Sequence, residues 1–239
     1  RLMIARFTKL LKKPFFLVFL LFLLTAKGHL EVIDSEYSVR SAISILEEHS
    51  LLIDLVDPST LEILPDIEGT DKIYSQYGIG LIAIFFPFVC LGKLFSLITG
   101  LDQRIIIDFL LSFYNIPFAL LGLFFYRSIL IRLGTSAPKA NAICLLMAIS
   151  TAYWKYTVTD FSEITQISLL LGSINAILSK ESSKWRMVSF WSALLVSIKL
   201  VYIILLPIFL LYLIFEIIPK KDLRHGFKKC IDFSIFLVP

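Results

Sequence analysis

The sequence is poor in the residues that cross-link or punctuate soluble chains. Its 239 residues include only three cysteines, Cys90, Cys144 and Cys230, each far from the others inside an apolar run. That excludes a disulfide framework and a cysteine-based zinc site, and leaves the three as packing residues. Histidine is equally scarce, and His29, His49 and His225 are too scattered to form a ligand set. With 10 Gly and 9 Pro there is no flexible linker, and no internal repeat appears, so nothing indicates a second domain. Charge is low at 18%, which together with 21 Phe excludes a disordered or low-complexity chain. What abounds is apolar: 57% of residues are hydrophobic and mean hydropathy is +0.83, against roughly 45–50% apolar in soluble proteins. The expectation is an all-α fold, a polytopic α-helical membrane protein.

The net charge of +4 comes from 23 basic and 19 acidic residues, and the two signs are segregated. Residues 27–77 hold 11 acids against three bases, Lys27, Arg40 and Lys72. The other bases fall in short clusters between apolar runs, as in cytoplasmic loops, rather than on one soluble face. No nucleic-acid partner is therefore expected.

The first apolar run, Pro14 to Ala26, would reach only about 20 Å as a helix, short of a hydrocarbon core of roughly 30 Å. Leu10, Leu11 and Leu30 can extend it while Lys12 and Lys13 snorkel. The alternative is a secretory signal peptide ending at Ala26-Lys27-Gly28. Both readings put the basic start inside and residues 27–77 outside. Later basic clusters (Arg127, Arg132, Lys139; Lys180, Lys184, Arg186; Lys220, Lys221, Arg224, Lys228, Lys229) then lie in the cytoplasm. An odd number of crossings must separate Tyr77 from Arg127, yet two apolar runs intervene. Gly78 to Ile98, with Gly78-Ile79-Gly80, Pro87 and Gly92-Lys93, is expected to be broken, re-entrant or in the outer interface. Met187 to Ile218 must be a hairpin turning near Lys199, and the turn holding Lys155, Tyr156, Asp160 and Glu163 is outside as well. Because the chain opens on Arg1 and stops in an apolar stretch, it is read as a fragment of a longer protein.

This topology collects Asp34, Glu36, Arg40, Lys72, Lys155, Asp160, Glu163 and Lys199 on the outer side. Carboxylates and ammonium groups at a bilayer edge suit a lipid-linked phosphate, with cations holding the phosphate and a carboxylate acting as base. Residues 37–48 place Val39, Ala42, Ile43 and Leu46 at helical spacing, predicting a short interfacial helix. Asp108 and Asn115 are expected to hydrogen-bond between helices rather than react. Gly78-x-Gly80 lacks the strand-to-helix context of a nucleotide fingerprint.

The ordered set is a basic start, one span, Asp34-x-Glu36-Tyr37, then Lys72-Ile73-Tyr74-Ser75-Gln76-Tyr77-Gly78-Ile79-Gly80, Arg132-Leu133-Gly134-Thr135-Ser136, Ser150 to Tyr156 and Phe161-Ser162-Glu163. It resembles the N-terminal half of GT-C superfamily glycosyltransferases of the protein-mannosyltransferase-like group, which use polyprenyl-phosphate sugars. The resemblance covers most of the chain and implies a single GT-C-like transmembrane domain over 1–239, truncated at its C-terminal side, with 27–77 as an outer catalytic loop carrying juxtamembrane helices. It implies a multi-pass enzyme of a prokaryotic cytoplasmic membrane, N-terminus inside, moving a sugar from a lipid-linked donor to a hydroxyl of a glycan, lipid or protein. The catalytic acid of the first loop maps to Asp34, with Glu36 as the close alternative. Lys72, Lys155 and Lys199 are candidates for the donor phosphate, Glu163 for the acceptor or a helix cap, and Arg40 and Tyr77 complete the substrate-binding set. No cofactor is expected; a divalent ion between Asp34, Glu36 and Glu163 is the alternative. A transporter or flippase and a non-catalytic membrane subunit are the competing functions.

Overall fold

The computed structural model describes residues 14–54, 72–75, 77–150, 152–217 and 223–237. Leu10 to Lys13, the acids Asp57, Glu62, Asp66, Glu68 and Asp71, and the bases Lys220 and Lys221 lie outside them. The elements in chain order are α1 (Pro14–Thr25), α2 (Ile33–Glu48), β1 (Leu52–Asp54), β2 (Lys72–Tyr74), α3 (Ile79–Thr99), α4 (Gln103–Leu111) and α5 (Asn115–Arg132). There follow α6 (Ala137–Ser150), α7 (Ala152–Thr157), α8 (Glu163–Ile177), α9 (Lys184–Ile198), a 3-10 turn (Leu200–Ile204), α10 (Leu205–Ile217) and α11 (Leu223–Ser234). The described residues are thus mostly helical, as expected. The exception is one short antiparallel pair, with Leu52 opposite Tyr74, Ile53 opposite Ile73 and Asp54 opposite Lys72.

Among the described residues, two helical segments are long and apolar enough to cross a membrane: Ile79–Thr99, and Gln103–Arg132, which counts α4 and α5 together with the turn between them. Of the alternatives expected for Gly78 to Ile98, the first is corrected: the segment is not broken but runs as one helix through Pro87. Packing overrides the proline: Phe85 and Val89, fully buried on either side of it, join one apolar cluster with Val39, Ala42, Ile107 and Leu111. The glycines serve close contact rather than breakage. A Cβ at Gly92 would overlap the Ile107 side chain of α4, and one at Gly78 or Gly80 would overlap Ser197 at the end of α9. Contacts from Tyr77–Asp34 to Lys93–Glu47 show α3 lying side by side with α2, in the same direction.

The helix expected over 37–48 begins earlier, at Ile33, so Asp34 and Glu36 stand in its first turn, where the exposed N–H groups of a helix favour anions. Elsewhere small and hydroxyl residues let helices approach. Ser168 of α8 donates to the Phe118 carbonyl of α5 at 2.6 Å, and Tyr153 donates to the Ala119 carbonyl at 2.7 Å. Ser173 of α8 lies 3.2 Å from Ser192 of α9. The chain turns back at Lys199, as expected for a hairpin, and the Lys184–Glu216 ion pair at 2.7 Å closes its far end.

Candidate functional site

One end of the bundle is assembled from three segments distant in sequence. Thr25, at the end of α1, accepts the Trp154 indole N–H at 3.0 Å. Asp160, only 1% exposed, receives the backbone N–H of Glu31 at 3.1 Å and of Val32 at 2.9 Å with its two carboxylate oxygens. Its carbonyl accepts the Ser35 hydroxyl at 2.6 Å and the Tyr114 hydroxyl at 3.2 Å. The start of α2 is therefore stitched to the α7–α8 loop. Beneath it Asn115, fully buried, donates to the carbonyls of Thr159 at 2.8 Å and Phe161 at 2.7 Å and accepts the Thr165 hydroxyl, which fixes the loop's path. Asn115 thus bonds between helices as expected. Asp108 instead pairs within its own helix, with Arg104 Nε at 2.7 Å.

The two candidate bases have different surroundings. Asp34, half-buried, accepts the Tyr77 hydroxyl at 2.5 Å and has no cation partner among the described residues. Glu36 is clamped by two guanidiniums: Arg40 Nε at 2.7 Å, and both terminal nitrogens of Arg104. Burial pushes the Glu36 carboxyl up, but these charge-assisted bonds outweigh it and hold the group below its ordinary 4.5. Arg40 is thereby occupied by Glu36.

Glu163 opens α8, and its Oε2 is buried without a hydrogen-bond partner among the described residues. Near it Tyr202 donates to Gln166 Oε1 at 2.9 Å. Lys155 is exposed on α7, and Lys199 is exposed at the turn after α9, one residue beyond the backbone that Gly78 approaches. Neither has an ion-pair partner among the described residues, Asp34 included. Lys72 is described by its backbone alone, opposite Asp54. Among the described residues no three His, Cys, Asp or Glu gather closely enough to hold a metal ion, so Asp34, Glu36 and Glu163 do not form such a group.

Sequence reasoning missed Arg104 and gave Asp160 no particular role. Arg104 was legible as the base following Asp102, whose carboxylate caps α4 by accepting the N–H groups of Arg104 at 2.8 Å and Ile105 at 3.2 Å. The i,i+4 spacing of Arg104 and Asp108 was a second signal. Beside Gly78 an apolar cavity of about 490 Å³ opens between α3, α5, α8 and α9, lined among others by Ile79, Ala83, Phe118, Leu169 and Leu194. Comparison of the chain with protein-family models, with curated proteins and with solved structures gives no match.

Proposed function

We propose that the chain is part of a polytopic GT-C-type glycosyltransferase, N-terminus in the cytoplasm, acting at the outer face of a prokaryotic cytoplasmic membrane. The membrane reading is supported by the long apolar helices Ile79–Thr99 and Gln103–Arg132, and by Leu24, Leu97, Ile98, Leu200 and Phe215, which stand 70–81% exposed. One observation carries the enzyme reading: Asp34 and Glu163, 129 positions apart, are brought to one end of the bundle through Ser35 and Asp160, beside an apolar cavity suited to a polyprenyl chain.

In this reading Asp34 is the base. It takes the proton from the acceptor hydroxyl as that oxygen attacks the anomeric carbon, and the polyprenyl phosphate departs with the electron pair of the broken C–O bond. Tyr77 orients the carboxylate. Glu36, held ionised by Arg104 and Arg40, is a weaker base and serves to fix α2. The unpartnered Glu163 oxygen is available to an acceptor or donor hydroxyl, and Lys155 and Lys199 on the rim supply charge for the phosphate.

The test is transfer from a labelled polyprenyl-phosphate sugar in membranes containing the full-length protein. Asp34→Asn is expected to lower the rate on the order of 10²–10⁴-fold. Undiminished transfer by a folded variant would remove the assignment.

A further inference from the structure

The opposite end of α9, about 20 Å from Gly78 by helix length, carries a second cavity, a polar one, that the transferase reading does not use. It has a volume of about 440 Å³ and lies between the α8–α9 turn, the end of α10 and α11. Lys180, Lys184, Lys228 and Lys229 line it, with Glu181, Glu216 and Asp232. Most of this charge is already matched. Glu216 holds Lys184 and Lys229, each at 2.7 Å, and Asp232 holds Arg186 at 2.8 Å. Lys180, Lys228 and Glu181 remain exposed, with no ion-pair partner among the described residues, so the unmatched charge in the lining is one net positive. Trp185 also lines the cavity. It is 1% exposed, and its indole N–H is buried with no acceptor among the described residues.

Two unmatched ammonium groups against one unmatched carboxylate, with Trp185 and its unsatisfied N–H in the wall, favour an anion rich in acceptor oxygens. Compact ammonium charges suit phosphate. We propose that this cavity binds a phosphate group, with Lys180 and Lys228 as its charge partners and Trp185 as a donor. An anionic phospholipid headgroup and a soluble phosphate are the two sources of that chemistry. Beside Asp232, Phe233 belongs to an apolar groove of about 890 Å³ along Leu200, Ile204, Pro207 and Leu210, a path for the acyl chains of a lipid so held. The inference rests on the membrane reading but not on the transferase reading.

The experiment therefore measures binding, not transfer. Purified full-length protein in detergent is titrated with micelles carrying fluorescent phosphatidylglycerol, with and without inorganic phosphate as competitor. The double variant Lys180→Glu/Lys228→Glu is expected to bind roughly 30-fold more weakly, the loss of about fivefold per ammonium group. Trp185→Phe is expected to lose about tenfold, and Lys139→Glu, a base outside the cavity, to bind as the parent does. Because Lys180 and Lys228 are exposed and unpaired, the double variant is expected to keep the parent's melting temperature. Inorganic phosphate that displaces the lipid with the same lysine dependence assigns the site to a soluble phosphate; lipid binding that phosphate does not displace assigns it to a headgroup. Equal binding by the parent and the double variant would overturn the proposal, whatever Trp185→Phe does.

Discussion

Asp160 and Asp232 are both nearly buried carboxylates, at opposite ends of the helical bundle, and they are satisfied in different ways. Asp160 is held by two backbone N–H groups, so its charge fixes the path of the chain. Asp232 is held by the guanidinium of Arg186, whose side chain is 51% exposed. A backbone donor cannot move away without unfolding the segment, whereas an exposed side chain can exchange its partner for water. The Asp34 end is accordingly built for position and the lysine end for charge. Position is what a reacting carboxylate needs, and net field is what an anion site needs.

The largest expected difference between the ends is catalytic. Asp34→Asn should cost on the order of 10²–10⁴-fold in sugar transfer, while Lys184→Gln at the far end should leave the rate within about threefold. Equal losses in the two variants would mean that the ends are not functionally distinct. The second difference is in stability. Asp160→Ala removes a buried acceptor that satisfies two backbone N–H groups, and a loss of about 2–4 kcal/mol is expected in thermal or denaturant unfolding. Asp232→Ala frees a guanidinium that already reaches water, and about 1 kcal/mol is expected.

The sequence carried the coarse arrangement: helices from apolar runs, a turn at Lys199, and the α7–α8 loop on the same end as Asp34. It did so because charge segregation and run length are local properties of the chain. The joint between the loop and α2 was not legible, since Asp160 reads as one acid among several until its distance to Val32 is known. The continuity of α3 through Pro87 was hidden for a related reason. Proline's penalty is local, but the burial of Phe85 and Val89 against α2 and α4 that offsets it is tertiary. Lys155 and Lys199 were recognised as exposed bases at this end, yet nothing in their spacing says how near they come to Asp34.

A third contrast concerns pH. Glu36 has its carboxyl held below 4.5 in the folded chain, so its pairing with Arg104 and Arg40 stabilises fully at pH values above 4.5 and fades as pH falls through the lowered value. With the guanidiniums partly in water, the contribution is about 1 kcal/mol. Arg104→Gln should therefore lower stability at pH 7 by about that amount and flatten the acid limb of the stability curve. Asp34 transfer activity should fall only modestly, because Asp34 itself does not touch Arg104. A loss of activity as large as that of Asp34→Asn would instead make Glu36 the base.

The smallest effect is also the one that locates α2 and α3 relative to the bilayer. Lys93 bonds Glu47 at 3.0 Å, with the two side chains 39% and 40% exposed, and the bond from Lys93 holds the Glu47 carboxyl below its ordinary value. In water such a pair contributes only about 0.2–1 kcal/mol, and salt screens it. Lys93→Gln should then change the unfolding free energy by less than about 1 kcal/mol, with the difference vanishing in high salt. If the paired α2 and α3 instead lie at the depth of the hydrocarbon, the surviving Glu47 charge has no water to turn to. The same substitution would then cost several times more and would not respond to salt. Salt dependence at this one exposed pair thus decides whether α3, long enough to span, lies along the outer interface beside α2.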